Sequence, residues 1–355
     1  MFLRTLLVVS LLGISVPFRS FQQSPSPPLQ PETGLGGKQQ AHKAVIKNRY
    51  GKGGTEFWIY EPDQPRPASA PVVIFLHGWG GMNPLYYGAW IDHIVRRGNI
   101  VIYPRYQASI LTRREAFIPN TMSALKNAFS LLQTERGHVK PDLMRVATVG
   151  HSLGGILAAS VGALASESGL PKVRAIMSVE PGLTRSPADI PLADLSKIPA
   201  DTLLLSVAGD RDTLVDDEDA KRIFYESTQV SLDNKDFIKL VTDEHGRPGL
   251  IAGHRAPTAP LKDYDNGEGD LTERLRGSAG GPGQTGGPMR SDLARTPAVD
   301  ALDFYGLWKL FDGLSDAAFF KKNREYALGN TAKQRYMGKW SDGVPVKELV
   351  VTDKP

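Results

Sequence analysis

Residues 142–155 read Asp142-Leu143-Met144-Arg145-Val146-Ala147-Thr148-Val149-Gly150-His151-Ser152-Leu153-Gly154-Gly155. The run 145–149 has the apolar, partly β-branched character of a strand, and from Leu153 to Ala165 small and aliphatic residues continue without a proline, as in a buried helix. Between them stands Gly-x-Ser-x-Gly at 150–154. A serine on a sharp strand-to-helix turn presents its hydroxyl outward, and glycines two residues to either side remove the side chains that would block the approach of strand and helix. With 36 glycines in the chain the pentapeptide alone is a weak signal. The strand before it and the helix after it make Ser152 a candidate nucleophile.

Working outward, the same alternation recurs. Residues 71–76 (Pro-Val-Val-Ile-Phe-Leu) form an apolar strand, 83–97 a helix with Leu85, Tyr86, Trp90 and Ile94 on one side, and 99–103 another strand. Residues 119–135 place Met122, Leu125, Phe129 and Leu132 at helical spacing, and 173–179, 201–208 and 237–241 are further strands. Upstream, 44–46 and 56–60 flank Gly51-Lys52-Gly53-Gly54, the pattern of two strands joined by a glycine turn. Continuous apolar strands alternating with amphipathic helices predict an α/β protein with a mostly parallel central sheet flanked by helices on both faces. In such sheets ligands bind outside the carboxyl ends of the strands.

Two stretches interrupt the alternation. Residues 181–199 read as a small cap, and 257–297, rich in Gly, Pro and Arg, as a long loop or lid. The expected organisation is a signal peptide at 1–20, a disordered linker at 21–40, a folded body at 41–320 and a C-terminal tail at 321–355. The leader expectation rests on Arg4, the apolar run 6–16 and the Pro-rich stretch 17–31, too short a run for a comfortable membrane span. It predicts a secreted or periplasmic protein. An uncleaved anchor stays open, because no clear small-x-small cleavage site follows.

The 355 residues carry 42 Lys and Arg against 38 Asp and Glu, without a long basic block, which speaks against a nucleic-acid partner. There is no cysteine, so disulfides, thiolate metal sites and a cysteine nucleophile are excluded. The 7 histidines are too scattered to predict a metal site, and no cofactor is expected.

The approach Asp142 to Val146 into Gly-His-Ser-Leu-Gly-Gly, with the strand order from about residue 43 to 313, resembles the α/β-hydrolase family. The resemblance implies Ser152 as nucleophile. It also implies that His77-Gly78-Trp79-Gly80-Gly81, ending the strand 72–76, supplies an oxyanion hole from the backbone N–H groups of Trp79 and Leu153. Gly209-Asp210-Arg211-Asp212-Thr213-Leu214-Val215 is similar to the family's G-x-x-D-x-x-V and selects Asp212 as the acid, with Glu180 in Ser178-Val179-Glu180-Pro181 as the alternative.

Two histidines qualify as base. His245 follows the strand 237–241 by a short turn. His254, in His254-Arg255-Ala256-Pro257, matches the His-x-Ala-Pro ending of cutinase-like polyester hydrolases. Reach from the strand end favours His245. His77 reads as structural, and His93, His138 and His151 as helix surface, loop and motif packing. Trp79 is expected in the cleft, whereas Met82, Tyr86, Tyr87 and Trp90 read mostly as core. Arg105, Arg113 and Arg114 stand in a loop that could meet an anionic or carbonyl-rich substrate, or be a solvated charged loop.

The expected function is hydrolysis of carboxylic esters through an acyl-enzyme, nearest to cutinase-like or platelet-activating-factor-acetylhydrolase-like esterases. The substrate would be a small-molecule, lipid or polyester ester, with no stable protein partner. A serine peptidase of the same fold and a non-catalytic binding protein on a degenerate fold are the alternatives.

Overall fold

The computed structural model describes residues 24–182, 192–268 and 298–355. The expected signal peptide at 1–20, residues 183–191 of the cap segment and 269–297 of the long loop lie outside them. In chain order the strands are β1 (Ala44–Tyr50), β2 (Phe57–Asp63), β3 (Ser69–Leu76), β4 (Ile100–Pro104), β5 (Lys140–His151), β6 (Val173–Val179), β7 (Leu203–Gly209), β8 (Lys235–Leu240) and β9 (Val350–Thr352). The helices are α1 (Gly88–Arg96), α2 (Phe117–Thr134), α3 (Leu153–Leu164), α4 (Glu218–Glu226), α5 (Lys309–Phe320, entered through a π-helical turn, Leu302–Trp308) and α6 (Ala332–Arg335).

The strands form one nine-stranded sheet in the order β1-β2-β4-β3-β5-β6-β7-β8-β9. Strands β4, β3, β5, β6, β7 and β8 run parallel, and β1, β2 and β9 extend the edges antiparallel. The two-residue strand period divides the core between the faces. Val73 and Phe75 pack with Trp58, Tyr60, α1 and α5 on one side, while Val72, Ile74 and Leu76 pack with Phe57, Ile59, α2 and α3 on the other. Because both faces are covered, the central strands are apolar over most of their length, and those runs made the parallel sheet visible in the sequence.

Three departures from expectation carry physical reasons. The segment at 21–40, expected as an unpacked linker, is held against the body from residue 24 by its backbone. The Gly36 N–H donates to Asp312 Oδ2 at 2.7 Å, Pro25 O accepts from Arg247 N at 2.8 Å, and Ser26 O accepts from Ser341 N at 3.0 Å. Low apolar content did not prevent docking, since peptide groups and prolines supply the contacts.

The C-terminal tail at 321–355 is likewise part of the fold. Strand β9 completes the sheet beside β8, and Lys309 Nζ donates to Gln334 O at 2.8 Å and Tyr336 O at 2.6 Å. Helices α4 and α5 had no counterpart in the sequence reading; α4 is mostly charged, and only Ala220, Ile223 and Phe224 commit its apolar side.

Trp340 anchors this C-terminal segment. It is 2% exposed, and its Nε1–H donates to Asp243 Oδ2 at 3.0 Å. Trp340→Ala is expected to cost about 3–5 kcal/mol of unfolding free energy, measured by urea denaturation. A loss below about 1 kcal/mol would show that the segment is not an integral part of the core. Among the described residues no helix is long and apolar enough to cross a membrane.

Candidate active site

Strand β5 delivers the chain into the turn that carries Ser152. Its backbone there is φ 57°, ψ −125°, a left-handed value that costs a non-glycine residue on the order of 1–3 kcal/mol. The neighbouring glycines permit the turn. A Cβ at Gly150 would run into the carbonyl of Gly154, and one at Gly154 into the carbonyls of Leu76 and His77. Ser152 N–H donates to Val179 O at 3.0 Å, tying the turn to the end of β6.

The hydroxyl of Ser152 lies 2.9 Å from His254 Nε2, and His254 Nδ1 lies 2.7 Å from Asp212 Oδ2. All three residues are buried. The other oxygen of Asp212 accepts the backbone N–H groups of Leu214 (3.0 Å) and Val215 (3.2 Å), which fixes the carboxylate in place. A serine, an imidazole and an oriented carboxylate in one chain of hydrogen bonds can pass a proton from the serine to the imidazole and stabilise the imidazolium that results.

Glu180, the alternative acid, stands close by. Its Oε2 is 3.9 Å from His254 Nδ1 and 3.7 Å from His151 Nε2, so the shorter contact to His254 belongs to Asp212.

The structure does not bring His245 to Ser152, contrary to the expectation built on reach from the strand end. After β8 the chain is pinned back on itself, with Asp243 N–H donating to Leu250 O at 2.8 Å and Leu250 N–H to Asp243 O at 2.9 Å. The loop so closed carries His245 towards the C-terminal segment, where its Nε2 meets Asp342 Oδ2 at 2.7 Å and its ring lies 5.7 Å from that of Trp340. The returning strand of this turn then runs beside the β7 exit. Ala252 O accepts from Arg211 N at 2.9 Å, and His254 arrives next to Asp212. Distance along the chain was a poor guide because the loop folds out and returns.

The loop 77–81 packs directly on the serine; a Cβ at Gly78 would stand 3.3 Å from Ser152 Cβ. Three of its backbone N–H groups have acceptors within the protein. Gly78 N–H donates to the Tyr87 hydroxyl at 2.9 Å, Gly80 N–H to Gln107 Oε1 at 2.9 Å, and Gly81 N–H to Gly78 O at 2.9 Å. Among the described residues no acceptor takes the N–H of Trp79 or that of Leu153, the first residue of α3. These two open donors, one of them at a helix N-terminus, suit a developing oxyanion.

His77 braces the loop from below, with Nδ1 2.6 Å from Gly78 O, Nε2 2.7 Å from Arg105 O, and its ring stacked 4.1 Å from that of Tyr106. Burial lowers its pKa to about 4.

Among the other expectations, Trp79 is 45% exposed and so available to a ligand at this loop, while Tyr87 and Trp90 are buried. Arg105 is not free to meet a substrate: it is buried, with ion pairs at 2.8 Å to Glu56 and 2.8 Å to Glu268. Arg113 is exposed near Glu115. His93, expected on a helix surface, is buried against Asp312 at 2.9 Å. His138 bonds Glu61 at 2.8 Å. Sequence reasoning missed the hydroxyl of Tyr87, which bonds both Gly78 N and His151 Nδ1 at 2.9 Å. A tyrosine in a core helix must find a partner for its O–H, and that was the available signal.

One group of potential metal ligands occurs among the described residues: His151, Glu180 and His254, whose ligand atoms lie within 4.8 Å of one another. His254 is already engaged on both ring nitrogens, so a cation there would have to draw it away from Ser152 and Asp212.

The strand order, the antiparallel edge and the strand-turn-helix at Ser152 define an α/β-hydrolase fold. Residues 38–189 match the model of the chlorophyllase family, an α/β-hydrolase-type esterase family, over less than half of the chain. The matched span holds the 77–81 loop and Ser152 and ends before Asp212 and His254. This similarity points to ester hydrolysis as the class of chemistry. No curated protein matches the chain.

Proposed function

We propose that the protein is a serine carboxylic ester hydrolase that works through an acyl-enzyme on Ser152. The observation that carries this reading is the continuous hydrogen-bond chain from Ser152 Oγ through His254 to Asp212, at 2.9 and 2.7 Å. His254 Nε2 takes the serine proton as Oγ attacks the ester carbonyl. The negative charge that forms on the carbonyl oxygen meets the N–H groups of Trp79 and Leu153. The alcohol departs with the proton from His254 Nε2. Water, deprotonated by the same nitrogen, then attacks the acyl group; the bond between Oγ and the acyl carbon breaks, His254 returns the proton to Oγ, and the carboxylic acid departs. Asp212 holds the Nδ1–H tautomer throughout and does not itself take the proton.

Secretion through the leader at 1–20 belongs to the same proposal. An extracellular or periplasmic ester hydrolase without cysteine has no thiol to lose to oxidation.

The test is a panel of p-nitrophenyl acyl esters of increasing chain length, a chlorophyll ester, and matched anilides. Turnover of at least one ester class, with the anilides slower by about 10³-fold or more, is expected, since an amide carbonyl is less electrophilic than an ester's and its amine is the poorer leaving group. Anilide turnover equal to that of the esters would favour the peptidase alternative, and no turnover of any member the binding-protein alternative.

A further inference from the structure

Tyr87 enters from the 3₁₀ turn before α1 and belongs to the core by every measure of burial, being 3% exposed. Its hydroxyl nonetheless ends between two groups of the site. It accepts the backbone N–H of Gly78 at 2.9 Å and lies 2.9 Å from Nδ1 of His151, the residue before Ser152. The direction of these bonds follows from the donors available. A peptide N–H can only donate, so the phenol oxygen accepts from Gly78, and the phenol's own proton has His151 Nδ1 as its partner. The other ring nitrogen of His151, Nε2, faces the Glu180 carboxylate at 3.7 Å.

We infer that Tyr87 is a positioning residue for the oxyanion loop, with His151 fixing the direction of its hydroxyl. The peptide N–H that Tyr87 holds immediately precedes the open donor at Trp79. A Cβ at Gly78 would stand 3.1 Å from the Tyr87 hydroxyl, 3.3 Å from Ser152 Cβ and 3.5 Å from His151 Nδ1, so only a glycine fits between these groups without displacing them. On the far side of the open donor, Gln107 holds Gly80 N–H at 2.9 Å. Trp79 N–H is thus clamped from both neighbours. Tyr87 makes no claim on substrate; it acts through the backbone that receives the transition-state charge.

The inference rests on the acyl-enzyme reading, and the experiment separates the two. Tyr87→Phe removes only the hydroxyl; His151→Gln keeps a polar group in place of the ring. For each, kcat, KM and melting temperature are measured, together with Ki for a trifluoromethyl ketone, whose serine adduct carries an oxyanion, and for the matching unfluorinated methyl ketone. Ki does not depend on the fraction of molecules folded. Tyr87→Phe should lower kcat about tenfold with KM within about twofold, and should raise Ki for the trifluoromethyl ketone about tenfold while leaving the methyl ketone unchanged; losing a direct donor costs more, about 10²–10³. His151→Gln should show the same split at smaller size.

Equal weakening of both ketones, or an unchanged trifluoromethyl ketone Ki in either variant, overturns the positioning role while wild-type turnover keeps the acyl-enzyme reading intact. A wild-type protein that neither turns over esters nor binds the trifluoromethyl ketone defeats that reading itself.

Discussion

Ser152→Ala is expected to lower kcat/KM for short-chain p-nitrophenyl esters by about 10⁴-fold or more, leaving the fold unchanged. The size follows from the step removed: no other hydroxyl among the described residues shares the contact with His254 Nε2, so no second nucleophile is placed to substitute. The residual rate would come from the oxyanion donors and from binding alone. Stability should move little, because alanine meets the same backbone demand at φ 57° that serine does. Ser152→Gly is the informative companion. It is equally inactive, but glycine adopts that conformation without penalty, and it should unfold at higher urea, by about 1 kcal/mol. An inactive and stabilised variant is the signature of strain held at a functional position. A destabilised Ser152→Gly would mean that the turn is not strained in this sense.

The second large effect separates two histidines. His254→Ala should reduce kcat/KM by about 10³-fold or more, whereas His245→Ala should leave activity within about twofold. His245 is tied to Asp342 at 2.7 Å in a pair whose side chains are 35% and 37% exposed, an arrangement worth at most about 1 kcal/mol to stability. His254 bridges serine and carboxylate inside the protein. The comparison is read from initial rates on one ester at saturating and limiting concentration. An inactive His245→Ala beside an active His254→Ala would contradict the assignment of the base.

The fold was legible in the sequence to the extent that burial on both faces forces apolar runs. Strands β3, β4, β6, β7 and β8 carry that mark, and the glycines around Ser152 carry the mark of a turn that only they can complete. What escaped was held by interactions with no local period. The N-terminal segment docks through peptide groups, and the C-terminal segment through scattered buried side chains such as Trp340, Met337 and Leu349 and a short edge strand.

The base was obscured for a related reason. Its position depends on the bridge between Asp243 and Leu250, which swings His245 outward and returns His254 to Asp212. The letters around His254 pointed there; the argument from reach did not, because chain distance and spatial distance part wherever a loop closes on itself. Tyr87 stayed hidden in plain sight. Its helical spacing marked it as core, which it is, and the pattern of apolar residues does not say where a buried hydroxyl must bond.

The most direct test of an acyl-enzyme on Ser152 is covalent. The full chain is treated with a fluorophosphonate, which phosphonylates a serine whose proton can be withdrawn by a neighbouring base. It is then digested, and the adduct is located by peptide mass spectrometry. Stoichiometric modification is expected, confined to the peptide carrying Gly150-His151-Ser152-Leu153-Gly154, abolished in Ser152→Ala and strongly slowed in His254→Ala. An unmodified Ser152 in the wild-type protein, or an adduct on another residue at comparable rate, would contradict it.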